Sequence, residues 1–385
     1  MKGRKFNGER LRSARVYRSK TIDQLSKETN IDIENIKKFE RNELKPGIEN
    51  VLSLVNKLNF PKEYFYEDNN LEVDYKGSYF KSHPSTYRKE ELSYIEKIII
   101  THKIYNFIEM YISCPRLNII HADIKHENIE DIAMNVRDLW GVNDGPLLNM
   151  VNLMEVNGFL ISTVNAGKNS VGAFSQKQKI YDYSRYFIAV GNDKRSAAWR
   201  NYDLACQLGH VVLHDYNKDL DKLSKKEFEN MKDQANDFAC AFLLPKERFL
   251  EDLAYPSDLE FYVELKSKWI VPISTMILRA YQLGAISYRK YEYLVKEMSK
   301  LGWDKKEPLD NIKGMNPALS KKAIELLIEN KIMTENEIVN NLSKAGLSLN
   351  IEDIEELLGL KKGTLALKKD STKKNNNVTV VNFKR

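Results

Sequence analysis

The stretch LACQLGHVVLHD, Leu204 to Asp215, poses the fold question for the whole chain. Its apolar residues recur at helical spacing, and on a helix residues i and i+4 share a face. Cys206 and His210 therefore point the same way one turn apart, with His214 a further turn along the same loose stripe. Thiolate and imidazole both suit zinc, but a catalytic metal also needs a third protein ligand, an open position for water and a base to take the proton. The residue after Cys206 is Gln207, and an amide accepts no proton near neutral pH. Two readings stay open: Cys206, His210 and His214 as a closed structural or sensing zinc site, or a small buried thiol beside a hydrogen-bonded core histidine.

Outward from this helix, placed at about 198 to 214, the pattern on each side differs. Upstream, NMVNLMEVNGFLISTV and RYFIAVGN within residues 148–192 are β-branched and aromatic, which predicts a few strands. The region from about 69 to 147 reads as helical connection. Downstream, EFENMKDQANDFACAFLLP predicts a long helix stopped by Pro245, and LKSKWIVPISTMILRAYQLGAISYRKYEYLVKEM two or three more. A last helical segment runs from about 316 to 361. The tail beyond is Lys- and Asn-rich and reads as a disordered end, although VTVVNF has the alternation of a strand.

The first 68 residues predict four short, closely packed helices. Leu11, Ala14 and Tyr17 fall at helical spacing, Thr21 and Asp32 stand where helix caps belong, and Pro46 with Gly47 punctuates before IENVLSLVNKLNF. A short helix, a tight turn and a second capped helix outline a helix-turn-helix, whose second helix enters the major groove. That helix here offers Ile33, Glu34, Asn35, Lys37 and Lys38, flanked by Thr21 and Arg41. Lys2, Arg4, Lys5, Arg10, Arg12, Arg15, Arg18 and Lys20 make the start basic, an end suited to phosphate. A helical protein-interaction bundle is the alternative.

The rest of the composition bounds the answer. The 385 residues carry a net charge of +6, mild for this length, and 42% hydrophobic residues, enough for two or three cores. Three cysteines, Cys114, Cys206 and Cys240, are too few for a disulfide framework. With no apolar leader and no run of about 18 apolar residues, the expectation is a soluble, cytoplasmic protein without membrane contact. Redox sensing by Cys206 with Cys240 is a further reading that spacing alone does not carry.

Two resemblances sharpen these readings. Residues 8 to 68, ERLRSAR followed by TIDQLSKETNIDIENIKKFERNELKPGIENVLSLVNKL, resemble the lambda-repressor-like XRE helix-turn-helix family, with Leu25, Ile36, Glu40 and Pro46 in the expected places. Ile22 departs from it, since the family commonly carries Gln there. Residues from about 75 to 310 resemble the ImmA/IrrE-type metallopeptidases, often fused to an XRE domain, through NYDLACQLGHVVLH, KDQANDFACAFLLP and GWDKKEP. The resemblance implies a zincin-like helix pair on a small sheet. Carried over by position, it places Cys206 at the first histidine ligand, Gln207 at the catalytic glutamate, His210 at the second histidine, and Lys232 and Gln234 at the acidic third-ligand motif.

The predicted architecture is thus multidomain and mainly α with a small β-sheet: a helix-turn-helix over 1–68, a helical connection over 69–147, a degenerate metallopeptidase-like domain over 148–260, a helical region over 261–360 and a basic tail over 361–385. The predicted function is a DNA-binding transcriptional regulator, acting on a double-stranded operator as a homodimer, with no catalytic residues and no cofactor unless zinc binds. A zinc endopeptidase that cleaves a repressor, and an antitoxin or phage-defence protein binding a partner encoded nearby, are the alternatives.

Overall fold

The computed structural model describes residues 5–69, 72–79, 89–122, 126–164, 173–180, 183–191, 196–214 and 220–366. Side chains start the first three helices. Asn7 accepts from the amide of Glu9 to begin α1 (Gly8–Tyr17), Thr21 and Gln24 form a reciprocal capping box on α2 (Ile22–Thr29), and Asp32 accepts from Glu34 and Asn35 to open α3 (Ile33–Glu40). Asn30, at φ 56°, ends α2 in the left-handed region. After Gly47 comes α4 (Ile48–Leu58), then a 3₁₀ turn over Lys62–Tyr66. Leu11, Ala14, Leu25, Ile36, Phe39, Leu54 and Leu58 form the core between them. Gly8 is fixed by space: a Cβ there would lie 2.0 Å from the carbonyl oxygen of Phe39, so α1 and α3 meet backbone to backbone.

Next come β1 (Asp74–Tyr79), α5 (Lys89–Glu109), α6 (Ile129–Leu139), α7 (Met150–Val156), β2 (Leu160–Val164), β3 (Phe174–Ile180) and β4 (Tyr183–Gly191). The strands form one sheet in the order β1-β3-β4-β2; β1 and β4 run antiparallel to β3, and β2 runs parallel to β4. Two expectations are corrected here. A strand, β1, interrupts the region read as helical, and the NMVNLMEV end of the region read as strands is the helix α7. Met150, Val151 and Met154 are buried at helical spacing, and Asn149 caps the turn.

The helices α8 (Ala197–Leu213) and α9 (Lys225–Leu243) follow, the first spanning the motif stretch and the second ending just before Pro245. Then come α10 (Lys246–Asp252), α11 (Leu259–Trp269), α12 (Ile273–Gln282) and α13 (Tyr288–Lys300). The chain closes with α14 (Leu319–Glu329), α15 (Glu335–Lys344) and α16 (Ile351–Leu357). Gly209 lets α8 and α9 approach closely, since a Cβ there would meet the Ala235 carbonyl oxygen at 3.0 Å. Glu307 accepts from the first amides of α12, Ile273 and Ser274, while the buried Lys266 ammonium neutralises it at 2.7 Å.

Three layers result. Ile161, Tyr186, Ile188 and Val190 on one sheet face pack with α8, α9, α11 and α12. On the other face Leu160, Phe174, Phe187 and Ala189 lie under Tyr94, Ile95, Ile98 and Tyr105 of α5. The remaining side of α5, with Ile100, Ile104, Phe107 and Ile108, joins the core shared by the first four helices and by α14–α16. A 21-residue helix buried on both sides is thus the spine between two bodies. The architecture is the expected mainly α chain with a small mixed sheet, a helix-turn-helix in front and helices behind. Among the described residues no helix is long and apolar enough to cross a membrane.

Half of the cations of the basic start are tied within the chain. Arg15 makes two bonds to Glu40, Arg18 two bonds to Asp353, and Lys20 pairs with Glu28. Arg10 is buried, donating to the carbonyls of Asp68 and Gly346. These four cations are held by partners within the chain, and two of them, Arg10 and Arg18, reach residues more than 300 positions away. Lys2, Arg4 and the tail from 367 lie outside the described residues.

Candidate functional site

The predicted DNA-reading surface is assembled by the caps that start α2 and α3. Glu34, Lys38, Arg41 and Thr21 are exposed, while Ile33, Asn35 and Lys37 are half-buried. The asparagine and the two lysines thus stand on one accessible helix, with Lys37 bridged to Glu34 at 2.7 Å. Thr21 accepts from the amide of Gln24 at 3.1 Å, and Gln24 Oε1 returns to the Thr21 amide at 3.0 Å. Gln24 also accepts from Lys89 at 3.4 Å, which brings the start of α5 to the rim of this surface. A cleft of about 470 Å³ lies there, lined by Lys20, Thr21, Ile22, Ile33, Lys37 and Lys89 among others. Sequence reasoning missed both Lys89 and Gln24; for Gln24 the signal was present, since Thr-x-x-Gln before an apolar run is a capping box.

The motif residues of α8 and α9 meet under the sheet, each with a partner of its own. Gln207 is 5% exposed, its Oε1 accepting from Ser175 and its Nε2 donating to the Ala173 carbonyl at 3.1 Å, so both ends of the amide are tied to β3 and its leading edge. Cys206 donates to Asn236 Oδ1 at 3.3 Å, which Tyr202 also reaches. His210 and His214 share a hydrogen bond of 3.0 Å between their Nδ1 atoms, and His214 Nε2 meets Gln234 Oε1 at 3.1 Å. The Tyr79 ring stacks on His210 at 4.8 Å. Burial lowers the pKa of His210 well below the usual histidine range, with His214 and the Lys232 ammonium adding to the effect. Lys232 itself bonds Glu229 on the outside of α9.

The structure thus brings His210, His214 and Gln234 together and gathers Cys206 with Tyr202 and Asn236. It does not bring Cys206, His210 and His214 to a common point. The i+4 spacing aligns Cα–Cβ directions, but the side chains turn to different partners. Among the described residues no group of three or more His, Cys, Asp or Glu side chains could hold a metal ion. The residues do not fit a catalytic zinc: the positions that the resemblance gives to the third ligand, Lys232 and Gln234, carry an ammonium and an amide, and the one it gives to the base, Gln207, carries an amide already bonded at both ends. Asp215, at the end of the quoted stretch, lies outside the described residues.

Sequence reasoning missed Tyr79, Ser175 and Asn236. The last lies in the quoted run KDQANDFACAFLLP, two residues beyond Gln234; the other two sit in strands whose register no local pattern announces. Beneath β3 lies a second buried chain: His102 Nδ1 pairs with Gln178 Oε1 at 3.0 Å, Gln178 donates to Gln176, and Gln176 to Ser78, each at 2.6 Å.

Comparison with known families gives two matches. A family model described as a helix-turn-helix domain matches residues 8–71, and one described as an IrrE N-terminal-like peptidase domain matches residues 163–281. The chain joins an XRE-type helix-turn-helix to an IrrE-like domain. No curated relative matches it.

Proposed function

We propose that this fusion is a DNA-binding transcriptional regulator whose IrrE-like domain has lost hydrolysis and serves as the body that dimerises, senses or binds a partner. The helix-turn-helix supports DNA binding. The observation that carries the loss of catalysis is Gln207: its carboxamide holds Ser175 and Ala173 where a peptidase needs a free carboxylate. Lys232 adds a positive charge that opposes a metal cation near His210.

On the DNA side, α3 presents Glu34, Asn35, Lys37 and Lys38 to base edges and phosphates, and a homodimer would carry two such helices to half-sites about 34 Å apart. Replacing Lys37 and Lys38 together by alanine is expected to weaken binding to duplexes that the wild type selects from a random pool, and to flatten its salt dependence by about one unit per lost phosphate contact. Unchanged binding would remove α3 from the recognition role. On the peptidase side, elemental analysis should find substoichiometric zinc in the untagged protein. One zinc per chain, lost in both Cys206→Ala and His210→Ala, would overturn the reading of a dead site and revive repressor cleavage. Capture of a neighbouring gene's product by the IrrE-like domain would favour the partner-binding form of this proposal.

A further inference from the structure

Between the edge of the sheet and the last helices lies a cavity of about 250 Å³. Residues 161–163 of β2 form one wall, residues 316, 317 and 320 at the start of α14 a second, and residues 355–360 at the end of α16 the third. Each wall is tied down. β2 is paired along its length with β4. Arg200 of α8 donates to the Met315 carbonyl and to Asn316 Oδ1, and Glu155 accepts from the Ala318 and Leu319 amides where α14 begins. Glu355 accepts from the amides of Gly363 and Leu365, which holds the chain that leaves α16. Small-molecule sites are mostly preformed in this way.

The groups on the walls select the occupant. The hydroxyls of Ser162, Thr163 and Ser320 make no hydrogen bond among the described residues, and the carbonyls of Leu357 and Leu358 accept none from a backbone amide there. Ile161, Pro317 and Leu360 supply apolar surface. Two carboxylates, Glu355 and Glu356, line the cavity, and no Lys, Arg or His does. Glu355 is bonded to its two amides, whereas Glu356 is exposed and meets Lys97 of α5 at 3.2 Å. An anion would find no cation on these walls and would face a carboxylate. An ammonium brings three donors and no acceptor, which suits hydroxyl and carbonyl oxygens beside a carboxylate. A short aliphatic stem suits the apolar wall in so small a volume. We infer that this cavity binds a short aliphatic amine, with Glu356 and the hydroxyls of Ser162, Thr163 and Ser320 as the partners of its ammonium.

The place of the cavity gives the amine a consequence. β2 and the loop held by Arg200 belong to the IrrE-like body, whereas α16 belongs to the core shared with the helix-turn-helix head, where its Asp353 holds Arg18. An occupant touches both bodies at once, so the bound amine is the signal of the sensing role. That consequence rests on the regulator reading above; the binding itself does not.

The test is titration calorimetry of the full chain at neutral pH with butylamine, and with butanol and butyrate as its uncharged and anionic counterparts. Expected is one saturable site for butylamine, with a dissociation constant on the order of 1 mM, about tenfold weaker binding of butanol and none of butyrate. Glu356→Gln should weaken the amine roughly tenfold and Thr163→Val roughly threefold. Lys97→Gln, which breaks the same ion pair but leaves the carboxylate, should not weaken it. These side chains are exposed or half-buried, so the variants should melt with the wild type. Failure to saturate, equal binding of butanol, or an affinity that Glu356→Gln leaves unchanged overturns the site, and so does weakening by Lys97→Gln, since the loss would then follow the broken ion pair. The second readout is affinity for a duplex selected from a random pool, with and without butylamine at matched ionic strength. A change of about threefold or more in the wild type, absent in Glu356→Gln, supports the sensing role; an unchanged affinity at a saturated site overturns that role and leaves the site standing. A chain that enriches no duplex overturns the regulator reading, and the titration then decides the site alone.

Discussion

His102 lies between α5 and the sheet, 2% exposed, its Nδ1 donating to Gln178 and its ring against Phe187 at 4.7 Å. Burial lowers its pKa from 6.5 to about 4. In the unfolded chain the imidazole takes a proton near pH 6.5, whereas the folded chain refuses it until about pH 4. The stability it supports is therefore complete above pH 6.5 and lost as pH falls, on the order of 3 kcal/mol by pH 4. His210 is shifted in the same direction. Half-buried Glu96 and buried Glu155, whose carboxyls are raised by desolvation, act with the opposite sign. A comparison isolates the histidine: His102→Gln keeps a donor for Gln178 and removes the titration, so its denaturant midpoint should fall less than the wild type's between pH 6.5 and 4.5. Equal slopes would mean that His102 takes its proton in the fold.

Gln207 gives the second residue-level expectation. Gln207→Glu, the substitution to the residue that the metallopeptidase resemblance implies there, replaces a donor to the Ala173 carbonyl by a carboxylate oxygen. It should cost about 1–3 kcal/mol at pH 7.5, less at pH 5 where a buried carboxyl regains its proton, and should confer no peptide hydrolysis. Cleavage of a peptide library by this single variant would show that the amide alone silences the site.

Among elements, those whose signals are local were legible in the sequence. Thr21 and Asp32 cap helices that begin where the residue types say they should, and Pro245 follows the end of α9. β1 was not legible: DYKGSY is short, polar and an edge strand, held by pairing with β3 a hundred residues later. Nor was α7, whose methionines and valines read as strand until burial reveals the helical period. The motif helix was placed within a residue, yet the divergence of Cys206 and His210 toward Asn236 and His214 was not foreseeable from spacing. Close backbone approach is the element-scale quantity most exposed to mutation. Gly8→Ala puts a methyl 2.0 Å from the Phe39 carbonyl oxygen and 2.7 Å from that of Glu40. No side chain can swing aside, so α1 and α3 must part. A loss of about 2–4 kcal/mol is expected, with weaker DNA binding because α3 is displaced. A melt within a degree of wild type would mean that the two backbones slide apart freely.

At the scale of the molecule the head is not a bead on a linker. α5 runs through both bodies, and α14–α16, the last part of the described chain, close the core that the first four helices begin. The joint is polar as well as apolar: Arg18 grips Asp353, the Ser348 amide donates to Glu67 at 3.1 Å, and Asn350 donates to the Asn59 carbonyl at 2.7 Å. A ligand or partner on the IrrE-like body would therefore have a mechanical route to α3 through α5, whose first turn already touches Gln24. Removing one partner of the largely buried Arg18–Asp353 pair leaves a desolvated charge, so Asp353→Ala should cost on the order of 2–3 kcal/mol in the head. The chain carries the means to see where that loss falls. All four tryptophans, Trp140, Trp199, Trp269 and Trp303, lie outside the first four helices and α14–α16. Tryptophan fluorescence thus follows the IrrE-like body, while far-ultraviolet circular dichroism follows every helix. If the head and the C-terminal helices form one unit that unfolds apart from that body, Asp353→Ala lowers the dichroism midpoint and leaves the fluorescence midpoint in place. If α5 couples the bodies into a single transition, both midpoints fall together, and any event on the IrrE-like domain is energetically felt at α3, the proposed DNA-reading helix.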